Sequence, residues 1–153
     1  MGFFDGYNIS TSGMSAQRAR INVVSANLAN AQTTNTVGGG PYKRQNIVFQ
    51  EMLVKEQERS GTPTNSKFGN TQDNLALRGV GVKSIVESNA KSVMRYEPYH
   101  PDANEKGYVA YPDINPVVEM VNLTEAMRSY EANIAAFQTH KTMDNKTIEI
   151  LKP

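Results

Sequence analysis

Toward the C-terminal end of the chain, apolar side chains fall at Met120, Leu123, Met127, Tyr130, Ile134 and Phe137, in steps of three and four. That is the heptad spacing of a helix carrying one apolar stripe. The same phase continues through Lys141 and Asp144 to Ile148 and Leu151, and the two charged positions predict a local weakening or a charged partner. Asn115 and Pro116 mark the start of this helix. The asparagine can cap free amides, and proline at the first helical position loses no hydrogen bond. No Gly or Pro interrupts residues 117–152, so the helix should be roughly 50 Å long. A helix of that length is predicted to find partners beyond its own fold.

Residues from about Tyr7 to Gln32 also read as helix. One stripe runs through Ile9, Ala16, Ala19, Val23 and Ala26, a second through Met14, Ile21, Val24 and Leu28. The remaining surface is built from Ser, Thr, Asn and Gln, and between Gly6 and Tyr42 only Arg18 and Arg20 are charged. A solvated helix normally shows Glu and Lys outward; this composition suits a helix crowded by neighbours. Ser, Asn, Thr and Gly13 are poor helix formers, so the segment is predicted to be disordered in the monomer and helical once packed.

Residues 33–112 lack helical periodicity. Gly38-Gly39-Gly40-Pro41 ends any helix. Gln45–Phe49 reads as a strand, although residues 48–54 suit a short helix equally. Residues 60–70 are a loop by composition. Gly79–Val86 alternates as a strand with a bend or bulge at its glycines. Residues 99–107 form a turn, and Tyr108–Tyr111 is extended. The predicted architecture is mainly α with a small β insert. Long N- and C-terminal helices (1–34 and 113–153) pack as a coiled-coil-like pair and flank a short β/loop middle segment, 35–112.

Composition narrows the function without naming it. At 153 residues and 39% apolar, the chain supports one modest core. Its net charge of +1 is spread along the sequence, so neither nucleic acid nor an anionic membrane is a natural partner. The chain has no cysteine, which excludes disulfides, thiolate nucleophiles and cysteine-ligated metals. No apolar run approaches the ~20 residues of a membrane span, and Met1–Tyr7 lacks the basic and apolar regions of a cleaved signal peptide.

Candidate chemistry is sparse. Gly79-Val80-Gly81 lacks the third glycine of a dinucleotide loop. His140 and Asp144 share a helix face, as metal ligands do, but no third ligand stands in the neighbouring turns; His100 lies in a proline-flanked turn. No Gly-x-Ser-x-Gly elbow is present. The reading is a protein with no catalytic residues, no cofactor, no metal and no small-molecule substrate.

Two long stretches carry a resemblance. Ser25-Ala26-Asn27-Leu28-Ala29-Asn30-Ala31-Gln32-Thr33-Thr34, followed by Gly39-Gly40-Pro41-Tyr42-Lys43-Arg44, resembles the N-terminal signature of bacterial flagellar rod and hook proteins. Residues 115–133, Asn-Pro-Val-Val-Glu-Met-Val-Asn-Leu-Thr-Glu-Ala-Met-Arg-Ser-Tyr-Glu-Ala-Asn, resemble the matching C-terminal helix. Thr33, Thr34, the Gly-Gly-Pro-Tyr-Lys-Arg spacer and His100–Val109 fit a proximal-rod member best. The resemblance covers essentially the whole chain. One departure is Gln32–Gly38, which lengthens the turn between motif and basic pair relative to many hook-type members.

The resemblance implies a structural subunit of the flagellar basal-body rod, needed for flagellum assembly and motility. Its terminal helices would polymerise with neighbours into a tubular drive shaft, braced by the middle segment. The implied partners are other copies of the chain, other proximal and distal rod proteins, and the flagellar type III export apparatus. Export would need no cleaved signal, and the site of assembly would be the rod where it crosses the periplasm. The motif residues carried over are Asn27, Leu28, Ala29, Asn30, Thr33, Thr34, Tyr42, Lys43 and Arg44. The expected subunit-packing seam comprises Ile9, Ala16, Val23, Ala26 and Leu28 on the first helix. On the second it comprises Met120, Leu123, Met127, Tyr130, Ile134, Phe137, Ile148 and Leu151.

Overall fold

A computed structural model describes residues 5–53 and 78–150; the expected loop at 60–70 and the seam residue Leu151 lie outside them. Helix α1 spans Asp5–Ala29 and helix α2 spans Pro116–Ile150. Asn115 caps α2 as its sequence predicts: its Oδ1 accepts the Val117 N–H at 3.0 Å and its carbonyl accepts the Glu119 N–H at 3.1 Å. At the other end of α1, the predicted helix closes three residues early. Asn30 folds back, donating from Nδ2 to the Ala26 carbonyl at 2.9 Å, and competes with helix continuation as Asn side chains do.

The two helices pack antiparallel. Tyr7 near the start of α1 meets Phe137 edge-to-face at 5.0 Å and hydrogen-bonds Asp144, while Asn27 near its end meets Glu119. A single line of contact repeats every seven residues on both helices. A methyl group added to Gly6 would lie 2.8 Å from His140, and one added to Gly13 would lie 2.7 Å from Asn133. Ala126 is fully buried, and Asn27 closes the line against Glu119. The missing side chains at Gly6 and Gly13 let the backbones of α1 and α2 approach.

The residues of the expected subunit-packing seam divide between the inner and outer faces of the helix pair. On α2, Leu123, Tyr130, Ile134 and Phe137 are half-buried. Met120, Met127 and Ile148 instead stand outward, with Met120 54% exposed and Met127 48%. Inside the chain, the positions facing α1 are Glu119 and Ala126, one residue earlier than the two methionines. Small residues at 126 and on α1 favour the close approach; the bulkier methionine line is left on the outer flank. On α1, Ala16 and Val23 are buried, and Ile9, Ala26 and Leu28 are half-buried.

The insert contains two hairpins. Strand β1 (Gln45–Leu53) pairs antiparallel with β2 (Arg78–Glu87), from Gln45 opposite Glu87 to Leu53 opposite Arg78. The helical alternative for residues 48–53 is therefore overturned: cross-strand pairing outweighs a local pattern that serves either structure. A bulge between Val48 and Phe49 leaves Lys83 without a partner across the pair. It falls just beyond the glycines that suggested it. Gly79 is buried, and the Val80 N–H donates to Ser12 Oγ at 3.2 Å, seating β2 against α1. Strand β3 (Val93–Tyr96), unforeseen from sequence, pairs with β4 (Tyr108–Tyr111). The turn between them follows the expected pattern, with Asn104 Oδ1 accepting the N–H groups of Lys106 and Tyr108.

Candidate functional site

A buried cluster of polar side chains lies where α1 ends, β1 begins and α2 starts. Asn27 is 1% exposed, and all its amide capacity is used. Its Nδ2 donates to the Gln45 carbonyl at 2.8 Å and to Glu119 Oε2 at 3.3 Å. Its Oδ1 accepts the Gln45 N–H at 2.9 Å and the Tyr42 hydroxyl at 3.2 Å. A helix side chain thus reads both backbone groups of the first residue of β1, as a neighbouring strand would.

Glu119 is equally buried. Its Oε1 accepts two bonds from Arg44, from Nε at 2.9 Å and Nη2 at 2.8 Å. Arg44 Nη1 donates to Asn46 Oδ1 at 2.7 Å. A buried carboxylate must be paired and hydrogen-bonded to be tolerated, and here one guanidinium and one amide supply both requirements. Burial, and after it the carboxylates of Glu87 and Glu119, push the Tyr42 hydroxyl above its ordinary pKa, so it stays a proton donor to Asn27.

The motif residues read from sequence divide into groups. Asn27, Tyr42 and Arg44 converge on the buried cluster. Asn30 and Thr33 shape the turn beyond α1: Thr33 Oγ1 donates to Asn30 Oδ1 at 3.1 Å, and the Thr33 carbonyl accepts the Tyr42 N–H at 3.1 Å. Thr34 reaches further, donating to Asp102 in the β3–β4 turn at 2.7 Å. Lys43 lies outside, in an exposed 3.7 Å pair with Glu87. Leu28 is half-buried and Ala29 exposed; neither reaches the cluster through a hydrogen bond.

Glu119 was not singled out from sequence. Its only signal is a carboxylate amid Pro116-Val117-Val118-Glu119-Met120-Val121, and an acid in a first helical turn is ordinary on dipole grounds alone.

The two histidines take structural positions. His140 covers Gly6 and stands 6.0 Å from the Tyr7 ring. Asp144, its neighbour on the helix face, accepts the Tyr7 hydroxyl instead. His100 Nδ1 accepts the Asp102 N–H at 3.1 Å. Among the described residues, no three His, Cys, Asp or Glu side chains gather as metal ligands, and no helix is long and apolar enough to cross a membrane.

Comparison with known proteins places similarity at both ends and along the whole length. Residues 8–35 match the family described as flagella basal body rod protein, and residues 105–150 match that described as flagellar basal body rod FlgEFG protein C-terminal. The flagellar basal-body rod protein FlgC of Borreliella burgdorferi is 37% identical, over 99% of this chain and 99% of its own. Its counterpart in Bacillus subtilis is 39% identical over 97% and 98%, and that of Salmonella typhimurium 36% over 98% of each.

Proposed function

The chain belongs to the FlgC family of flagellar basal-body rod proteins, and from that premise we propose that its outward helix faces are the surfaces by which it builds the rod. It is a structural subunit of the bacterial flagellar basal body, serving flagellum assembly and motility. The carrying observation is the apolar face that α2 turns away from its own fold. Val117 is 68% exposed and Val121 62%, with Met120, Thr124 and Met127 beside them. Exposed apolar area of this kind marks interaction surface.

On α1 the outward positions Asn8, Thr11, Ser15, Arg18, Asn22 and Ser25 also recur at heptad spacing, and Arg18 is their only charge. Such a face suits close approach by another helix. Where the α1 face of one copy meets the α2 face of the next, the contact is heterologous and propagates into an open helical assembly rather than a closed dimer. In this reading the helices are the assembly core and the β insert braces them, without catalysis. Partners are further copies of the chain and other proximal and distal rod proteins. The flagellar type III export apparatus delivers the subunit to the rod where it crosses the periplasm.

The test replaces the native chain with Val121→Asp in the source organism. Expected are a soluble chain with an unchanged unfolding midpoint, no incorporation into purified basal bodies and loss of motility. Normal basal bodies carrying the variant would remove the α2 outer face from the assembly. A discrete dimer or tetramer of the unmodified chain in place of open-ended polymers would favour a closed coiled-coil adaptor.

A further inference from the structure

The helix pair carries a polar fastening at each end, and the two differ in what they hold. At one end, Tyr7 donates to Asp144 and joins only the two helices. At the other end, Glu119 binds Arg44 and Asn27, and those two residues hold the entry to the first hairpin. Asn27 bonds the N–H and carbonyl of Gln45 at the start of β1, and the Arg44 carbonyl accepts the Ser88 N–H at 2.7 Å, just after β2. Both strands are thereby connected to α2 through one carboxylate. Between the two ends, the only ion pair across the helices among the described residues is Arg20–Glu125, whose carboxylate is 63% exposed.

We propose that Glu119 is the latch by which the helix pair holds the β1–β2 hairpin in a fixed orientation, opening independently of the Tyr7–Asp144 end. The physical basis is the burial of the cluster. Once the carboxylate's charge is removed, Arg44 keeps only Asn46 among its side-chain partners, and a third of its side chain already meets water. Solvation then competes for the guanidinium, and the segment 42–45 leaves α2 with it. Asn27 loses one of its two acceptors in the same event, so the bonds to Gln45 weaken together. Sub-global openings of this kind need no unfolding elsewhere.

Amide hydrogen exchange on the full chain tests the latch, comparing Glu119→Gln with Asp144→Asn and Glu125→Gln. With Glu119→Gln, the Gln45 and Ser88 amides are expected to exchange about tenfold faster or more, the scale of losing a charge-assisted bond, while residues 7–13 and 134–144 keep parental rates. Asp144→Asn should produce the reverse pattern, and Glu125→Gln neither. A uniform increase along both helices with Glu119→Gln would make the cluster an ordinary contributor to global stability. Parental rates at Gln45 and Ser88 in that variant, or a parent chain unprotected at both, would equally overturn the latch.

Discussion

Asn27 faces Glu119 across the helix pair at 3.3 Å, with both residues about 1% exposed. The contact terminates a line that passes Ala126 and Gly13 beneath Asn133, and reaches Gly6 beneath His140. Each step is seven residues on both chain directions, so the antiparallel register is fixed by small residues in the middle and by a buried polar pair at the end. A slip by one turn would strand Glu119 without Arg44 and drive side chains into the places of the two glycines. Register is therefore specified by what would become unsatisfied.

The buried ion pair should be expensive to break from one side. Arg44→Met leaves Glu119 without its cation and is expected to lower unfolding free energy by about 2–3 kcal/mol, less than a fully enclosed pair because Arg44 is a third exposed. The double variant Arg44→Met, Glu119→Met should lose less than the sum of the single losses, since neither charge is then left without its counter-ion. Urea unfolding of the four proteins measures this. A loss below about 0.5 kcal/mol for Arg44→Met, the scale of an ordinary surface change, would contradict it.

Close approach at Gly13 makes a graded prediction. Gly13→Ala gains about 1 kcal/mol of helix propensity but displaces the Asn133 side chain, which bonds the Ser129 carbonyl at 2.9 Å. The two effects nearly cancel, and thermal unfolding should shift little. Gly13→Leu cannot be accommodated by moving one side chain and should cost about 1–3 kcal/mol, as overpacking does. Equal stability of the two variants would show that the helices are not held at glycine distance.

Alkaline pH reports on the far end. The hydrogen bond to Asp144, with smaller contributions from burial and from the carboxylate's charge, pushes the Tyr7 hydroxyl from its ordinary 10.0 up to about 12. The folded state therefore holds this proton more tightly than the unfolded chain. Its stabilising effect is complete below pH 10 and is lost as pH rises through about 12. Ultraviolet titration of phenolate should show a late component that loses one tyrosine in Tyr7→Phe, with Tyr42 and Tyr111, also raised, remaining. A difference titration centred near the ordinary value would rule out the Asp144 contact in solution.

The cap of α2 is a local test with a known scale. Asn115→Ala removes the acceptor of the Val117 N–H and should cost about 1 kcal/mol. Because Glu119 sits in the turn that follows, the loss should appear in chemical denaturation together with faster exchange at Gln45. No change in either would mean that the first turn is held by the cluster alone.

Much of this architecture was legible in the residues. Asn115-Pro116 gave the start of α2 because capping is a property of adjacent residues, and the absence of Gly and Pro from residues 117–152 gave its length. The turn at 99–107 was readable for the same reason, since Asn104 makes its bonds within four residues. The motif Asn27, Tyr42 and Arg44 marked one side of the buried cluster, though not its purpose. Glu119 was illegible. It lies 92 positions from Asn27 and 75 from Arg44, and an acid in a first helical turn has a sufficient local explanation. Strand β3 was illegible too: its four residues are all exposed, so no alternation of burial marked them.

Sequence by itself determined that this chain has two long helices around a β insert, because caps, periodicity and turn residues act over a few positions. Only the tertiary structure decided which stripe of each helix faces inward. On α2 the line through Met127 is apolar, while the adjacent line through Ala126 carries Glu119, Asn133 and His140, so hydrophobic periodicity does not mark it as the inward face. The absent side chains of Gly6 and Gly13 settled it: they admit α2 close enough that small residues fit between the backbones, and the methionines are turned outward.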